Sequence, residues 1–173
     1  KKVYNQSLVA TMIASGGEPA TERIVRGWVG NLATDVFAND TQLLEAIAAG
    51  QCDVGIVNSY YYGRILKQRP DFPVKLFWAN QGAGGTHVNI SGAGVTATSR
   101  NVAAATRFLE WLSTGDAQAH FAAVNMEYPA NPAAAVDPLE KSWGDFQPSL
   151  VNMIEAGRLQ PAAVRLMDRA GYR

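Results

Sequence analysis

The sequence predicts an α/β fold with a mostly parallel sheet. Short, wholly apolar runs alternate with helical periodicities at close spacing, as strands buried on both faces do when helices cross over them. Polar, ligand-type side chains follow one such run directly, at the place where sheets of this kind bind their ligands, beyond the carboxyl end of a strand.

Taken in chain order, residues 6–14 carry a helical pattern closed by Gly16-Gly17. A second helix opens at Glu18-Pro19 and sets Ile24, Val25, Trp28, Val29 and Leu32 on one face. Asp40 or Thr41 is the expected cap of a helix through Leu43, Leu44, Ala46 and Ile47, which Gly50 stops. Asp53-Val54-Gly55-Ile56-Val57-Asn58 reads as a short buried strand. Ser59 then caps a helix from Tyr60 to about Gln68, and Val74 to Trp78 forms the next strand.

The stretch Asn80-Gln81-Gly82-Ala83-Gly84-Gly85-Thr86 is rich in glycine but lacks the Lys-Ser/Thr sequel and the glycine spacing of a phosphate loop. It is expected to be a hinge-side loop leading into a strand near His87. Asn101 to Leu112 is amphipathic and helical, as is Ala117 to Val124, and Tyr128-Pro129-Ala130-Asn131-Pro132 is an extended connection. Two helices are expected in the tail, one from about Asp145 to Ala156 and one from Gln160 to Ala170, with Pro161 in the first turn of the latter.

Composition narrows the function. Fifteen Lys plus Arg against fifteen Asp plus Glu leave no net charge, and the arginines are scattered. Nucleic acid and anionic membrane surfaces, which need clustered positive charge, are therefore not expected partners. No apolar run approaches the roughly 20 residues that span a bilayer. The single Cys52 excludes an internal disulfide framework and a thiolate metal cage. Lys1-Lys2 runs almost at once into an apolar helix, without leader or initiator Met, so the chain reads as the later part of something longer.

The chemistry points to Tyr60-Tyr61-Tyr62. Neighbouring side chains on a helix diverge by about 100°, so at most two of the three can share a pocket, and Tyr62 is expected to pack inward. A phenol ionises near pH 10 in water, but a bound trivalent cation displaces the proton, and the N-terminal end of a helix dipole favours the resulting anion. A hard ion such as Fe(III) suits anionic oxygen. Taken by spacing alone, such a cluster is more often core or interface packing than a metal site.

The string from Gln51 to Arg64, with Asn58-Ser59-Tyr60-Tyr61-Tyr62-Gly63 at its centre, resembles the tyrosine motif of the periplasmic ferric-iron-binding proteins. The resemblance extends to Ala38-Asn39-Asp40-Thr41, to Asn89-Ile90-Ser91-Gly92-Ala93-Gly94-Val95, and to Glu127-Tyr128-Pro129-Ala130-Asn131-Pro132, in the family's order. It implies a type II periplasmic-binding-protein fold. Residues 1–89 would make the main part of the C-terminal lobe, 90–140 a crossover and contribution to the N-terminal lobe, and 141–173 helices that return, with an N-terminal segment of the full protein absent.

It also implies Tyr60 and Tyr61 as ligands to Fe(III). Tyr4 would be a third phenolate, as in the cyanobacterial type, and Asn58 and Asn39 would be anion-binding or second-shell residues for an accompanying anion such as carbonate. The expected function is periplasmic iron capture by a monomer and delivery to the permease of an ABC transporter. His87 and His120 match no ligand of that family and are expected to be structural. The other readings are a receptor for an organic or oxyanion solute, of the thiamine, polyamine or phosphonate kind, and an enzyme using Asp40, Asp53 or Asp116. Against the enzyme stands the lack of a nucleophile elbow, a His–carboxylate pairing or a metal-hydrolase motif.

Overall fold

A computed structural model describes residues 2–173, and eight helices make up nearly all the regular structure of those residues. Lys1, where the expected first lobe begins, lies outside them. The helices are α1 (Val3–Gly16), α2 (Glu18–Gly30), α3 (Asp40–Ala48), α4 (Ser59–Gln68), α5 (Val102–Leu112), α6 (Gly115–Asn125), α7 (Pro138–Lys141) and α8 (Met153–Arg169). The chain divides into two compact units. Unit 1 holds the residues up to Val36, Phe77–Ile90 and Phe146–Arg173; unit 2 holds Phe37–Leu76 and Ser91–Asp145.

In unit 1 the apolar stripe of α1, Val9, Ala10 and Ile13, packs on Ala156, Ala163, Leu166, Met167 and Ala170, with Val25 of α2 completing the core. Alanines on both sides let the helices approach closely, while Leu166 and Met167, both fully buried, each contribute about 1.5–3 kcal/mol of apolar burial. Asn5 donates to the Tyr172 hydroxyl at 2.8 Å and Gln160 to Gln6 at 2.8 Å, holding the first turns of α1 to the tail. On the outer surface Arg169 bridges Glu18 (2.6 Å) and Glu22 (2.9 Å). Of the residues expected to share one face of α2, Ile24 is about half exposed, and Leu32, also about half exposed, lies beyond the end of the helix.

The tail departs from expectation. One helix, α8, runs from Met153 to Arg169 with Pro161 in its interior, rather than two helices meeting there. Proline forfeits one intrahelical hydrogen bond. Burial of Ala156 on one side of it and Ala163, Leu166 and Met167 on the other keeps the helix continuous. Residues 145–152 are not helical: Phe146 stacks on Trp78 at 4.2 Å, and Gln147 is held by the Thr86 N–H and by the side chain of Gln81. The glycine-rich segment explains that capture. Thr86 and Pro148 form a parallel bridge, through Thr86 N–H to Gln147 O and Ser149 N–H to Thr86 O, both 2.8 Å. A Cβ on Gly85 would lie 2.5 Å from Pro148 O, so the close approach requires glycine.

Unit 2 is built on α3 and α4, whose Leu44, Tyr62 and Ile65 form a core with Phe72, flanked by Val57, Val74, Leu76 and Trp143. The proline-punctuated signature is a staple. Asn131 donates to Ser113 O (2.8 Å), Ala130 N–H reaches Gln118 (2.9 Å), and the Tyr128 hydroxyl meets Glu140 O (3.3 Å).

The expected parallel sheet is the main difference. Among the described residues the segments 53–58, 74–78 and 87–95 belong to no ladder, and the Thr86–Pro148 bridge is the isolated exception. Strand-like alternation is nevertheless present. Val57 faces the core and Gly55 lies against Leu43 and Ile47, while Val54 and Ile56 point outward. Likewise Val74 and Leu76 pack inward and Phe77 outward. A strand acquires its hydrogen bonds only from a neighbouring backbone about 4.8 Å away, and neither segment lies in a ladder with the other.

Candidate functional site

The tyrosine cluster sits where the 53–58 segment turns into α4. Asn58, extended at φ −74°, ψ 134°, occupies the N-cap position, but its side chain makes no capping bond. Ser59 is the first helical residue rather than the cap. The preceding helix is capped by Asn39, not by Asp40 or Thr41: Asn39 Oδ1 accepts the Gln42 N–H at 2.9 Å, and Gln42 Oε1 accepts the Ala38 N–H at 3.2 Å, a variant of the reciprocal capping box. That frees Asp40 for a longer-range task. Its Oδ1 accepts the Asn58 N–H at 3.2 Å and ties the start of α3 to the start of α4.

On α4 the three tyrosines separate as helical geometry requires. Tyr62 is buried, its hydroxyl donates to Val74 O at 2.8 Å, and burial pushes its phenol above the ordinary value. Tyr60 and Tyr61 are half-buried, with ring centroids 4.4 Å apart and planes at 35°. The Arg64 guanidinium lies 4.9 Å from the Tyr60 ring centre and 5.9 Å from that of Tyr61, within cation–π range of both. A shallow depression of about 210 Å³ is lined by Thr41, Tyr61, Arg64, Ile65 and Gln68. It touches only one tyrosine of the pair.

Asn39, Asn58, Tyr60 and Tyr61 thus belong to unit 2. Tyr4 belongs to unit 1, in the first turn of α1, 40% exposed. That turn was expected to begin at residue 6. Two residues bear on the site without having been singled out for it. Arg64 follows Tyr60 by four and Tyr61 by three, so helical spacing alone would have placed it over their rings. Asp40 acts across eighteen residues, which no local pattern reveals.

His87 pairs with Asn89 Oδ1 at 3.0 Å, and burial lowers its pKa; His120 stands edge-on to Phe121 at 6.1 Å. Cys52 is a free, half-buried thiol. Among the described residues no three His, Cys, Asp or Glu side chains are grouped as a metal site, and no helix is long and apolar enough to cross a membrane. What the site offers is two half-buried phenol rings side by side, with the Arg64 guanidinium over both.

The chain belongs to the bacterial extracellular solute-binding proteins, whose family pattern matches residues 3–148; this is a family of binding proteins, not of enzymes. More particularly, it is 46% identical over 178 residues to iron uptake protein A2 of Synechocystis sp. PCC 6803, covering 98% of this chain and 51% of that protein. Its structure is similar to that of apo FutA2 from Synechocystis PCC6803 (TM-score 0.92, 45% identity, 100% of this chain and 57% of that one). It is also similar to Trichodesmium IdiA (FutA) in complex with iron and citrate (TM-score 0.93, 38% identity, 99% and 56%). The chain spans about half the length of these relatives. The expected type II periplasmic-binding-protein fold therefore holds as a class, while the sheet expected within it has no ladder among the described residues.

Proposed function

We propose that this chain is the part of a periplasmic ferric-iron receptor that presents two phenolate ligands, Tyr60 and Tyr61, to Fe(III). The observation that carries the reading is the division of labour on α4: Tyr62 is spent on the core, whereas the two preceding rings lie paired and partly open to solvent under one guanidinium. Support also comes from relatives named for iron uptake, one of them in complex with iron and citrate.

In this reading Fe(III) is cargo. It displaces the phenol protons, and the N-terminal turn of α4 favours the anions formed. Arg64 balances part of their charge. Tyr4 is the third phenolate, which would bring the ligand charge to that of the ion. Asn39 has spent its carbonyl oxygen on the cap, so its amide N–H groups, with Asn58, are what it brings to an anion such as carbonate or to the outer shell. The N-terminal part of the protein supplies the remaining ligands. The lobes of the full protein close about the ion, and the monomer hands it to an ABC importer permease.

The test is the absorption spectrum of the iron-loaded full-length protein. A phenolate-to-Fe(III) charge-transfer band colours it, and replacing both Tyr60 and Tyr61 by Phe removes the band and the tight binding. Undiminished iron binding in that double variant overturns the assignment. An uncoloured protein that instead takes up an organic or oxyanion solute identifies a receptor of that other kind.

A further inference from the structure

Unit 2 buries a carboxylic acid that its iron chemistry does not use. Glu140, on the short helix α7, is 0% exposed, and neither of its carboxyl oxygens has a partner at full hydrogen-bond geometry. An ionised carboxylate so weakly satisfied is among the costliest groups to hold inside a protein. Its surroundings make this worse. Beyond burial itself, Asp137 and Glu127 repel a negative charge there, and the pull of the Asp137 backbone N–H and of Lys67 only partly offsets them, so Glu140 is pushed up from 4.5 to about 7. The Tyr128 phenol beside it is pushed up to about 12 by burial and by the charges of Glu140 and Asp145, and so stays neutral.

Helix α7 is also wired to α4. Asp137, which caps α7 by accepting the Leu139 N–H (2.8 Å), accepts from Lys67 of α4 at 3.2 Å. Glu140 O accepts the Trp143 N–H at 3.1 Å, and Trp143 packs on Tyr62 (5.7 Å between centroids) and against Gly63, where a Cβ would meet it at 3.0 Å. Tyr62 and Gly63 are the buried face of the helix whose outer face carries Tyr60 and Tyr61.

We infer that Glu140 is a proton-operated pin: neutral, it lets α7 and Trp143 seat against α4, and on losing its proton it loosens that seat. A carboxyl whose folded value lies above its unfolded one holds more protons folded than unfolded between the two. Its contribution is therefore fully present below about pH 4.5 and is lost as pH rises through about 7. The consequence for the tyrosine pair rests on the iron reading; the pin itself does not, and it is tested with no iron present.

The experiment compares the full-length protein with Glu140→Gln, which keeps the shape and cannot ionise. The unfolding equilibrium constant of the parent should rise on the order of a hundredfold relative to the variant between about pH 5 and pH 8.5. Amide exchange, compared at equal pH so that intrinsic rates cancel, should be faster in the parent than in the variant at the upper pH, within α4 and α7, and equal at the lower. Parallel stability profiles, or exchange differences lying elsewhere, overturn the inference. Should Glu140→Gln not fold, the infrared protonated-carboxyl band of the parent decides: a band that titrates away near neutral pH supports the pin, and one lost in the ordinary carboxyl range refutes it.

Discussion

Gly63 is where the packing of the tyrosine helix can be weighed most cleanly. A Cβ built there would lie 2.9 Å from Met126 Cε, 3.0 Å from Met126 Cβ and 3.0 Å from Trp143 Cη2. The methionine methyl can swing away, but the other two cannot. Met126 is fully buried and already in the left-handed region at φ 59°, and Trp143 is held against Tyr62. Alanine in place of a helical glycine gains up to about 1 kcal/mol of propensity, whereas overpacking a closed interior costs about 1–3 kcal/mol. Gly157, inside α8, supplies the control because a Cβ there meets nothing within 4 Å. The propensity gain is common to both substitutions and cancels between them. Gly63→Ala should therefore be less stable than Gly157→Ala by about 1–3 kcal/mol, read as the difference in urea midpoint at unchanged slope. Equal stabilisation of the two would show that the face of α4 against Met126 and Trp143 is not closely packed, and the argument linking that face to the site would fall.

Two further outcomes separate support from ligation. Tyr62→Phe removes the bond to Val74 O and should cost about 0.5–1.5 kcal/mol, while leaving any iron-dependent colour in place, as a titration of loaded protein would show. Asn39→Ala removes the cap of α3 and should cost about 1 kcal/mol in a denaturation experiment; Asn39→Asp, which also caps, should restore most of it.

The divergence of the three tyrosines was more legible in the sequence than the pairing of strands around them. Three successive tyrosines after an apolar run must diverge once they enter a helix, and Tyr62 turns inward as that geometry demands. The helices around Val25, Leu44 and Ile65 follow from spacing for the same reason. Strand pairing is different in kind, because a strand's hydrogen bonds belong to another stretch of backbone. Val57 and Val74 show the alternation of strands while belonging to no ladder. The segment after Asp145 went astray because Phe146 and Gln147 answer to Trp78 and Thr86, far off in sequence. Asp40 and Glu140 were illegible likewise: one reads as an ordinary helix start and the other as an ordinary surface glutamate. Only tertiary structure reveals that the first holds Asn58 and that the second is buried.

The central claim is that Tyr60 and Tyr61 bind Fe(III) through oxygen. Anomalous diffraction at the iron absorption edge, from crystals of the full-length protein loaded with Fe(III), tests it most directly. The account predicts one strong peak at bonding distance from both phenolic oxygens. A peak away from them, with the two hydroxyls turned elsewhere, would contradict it.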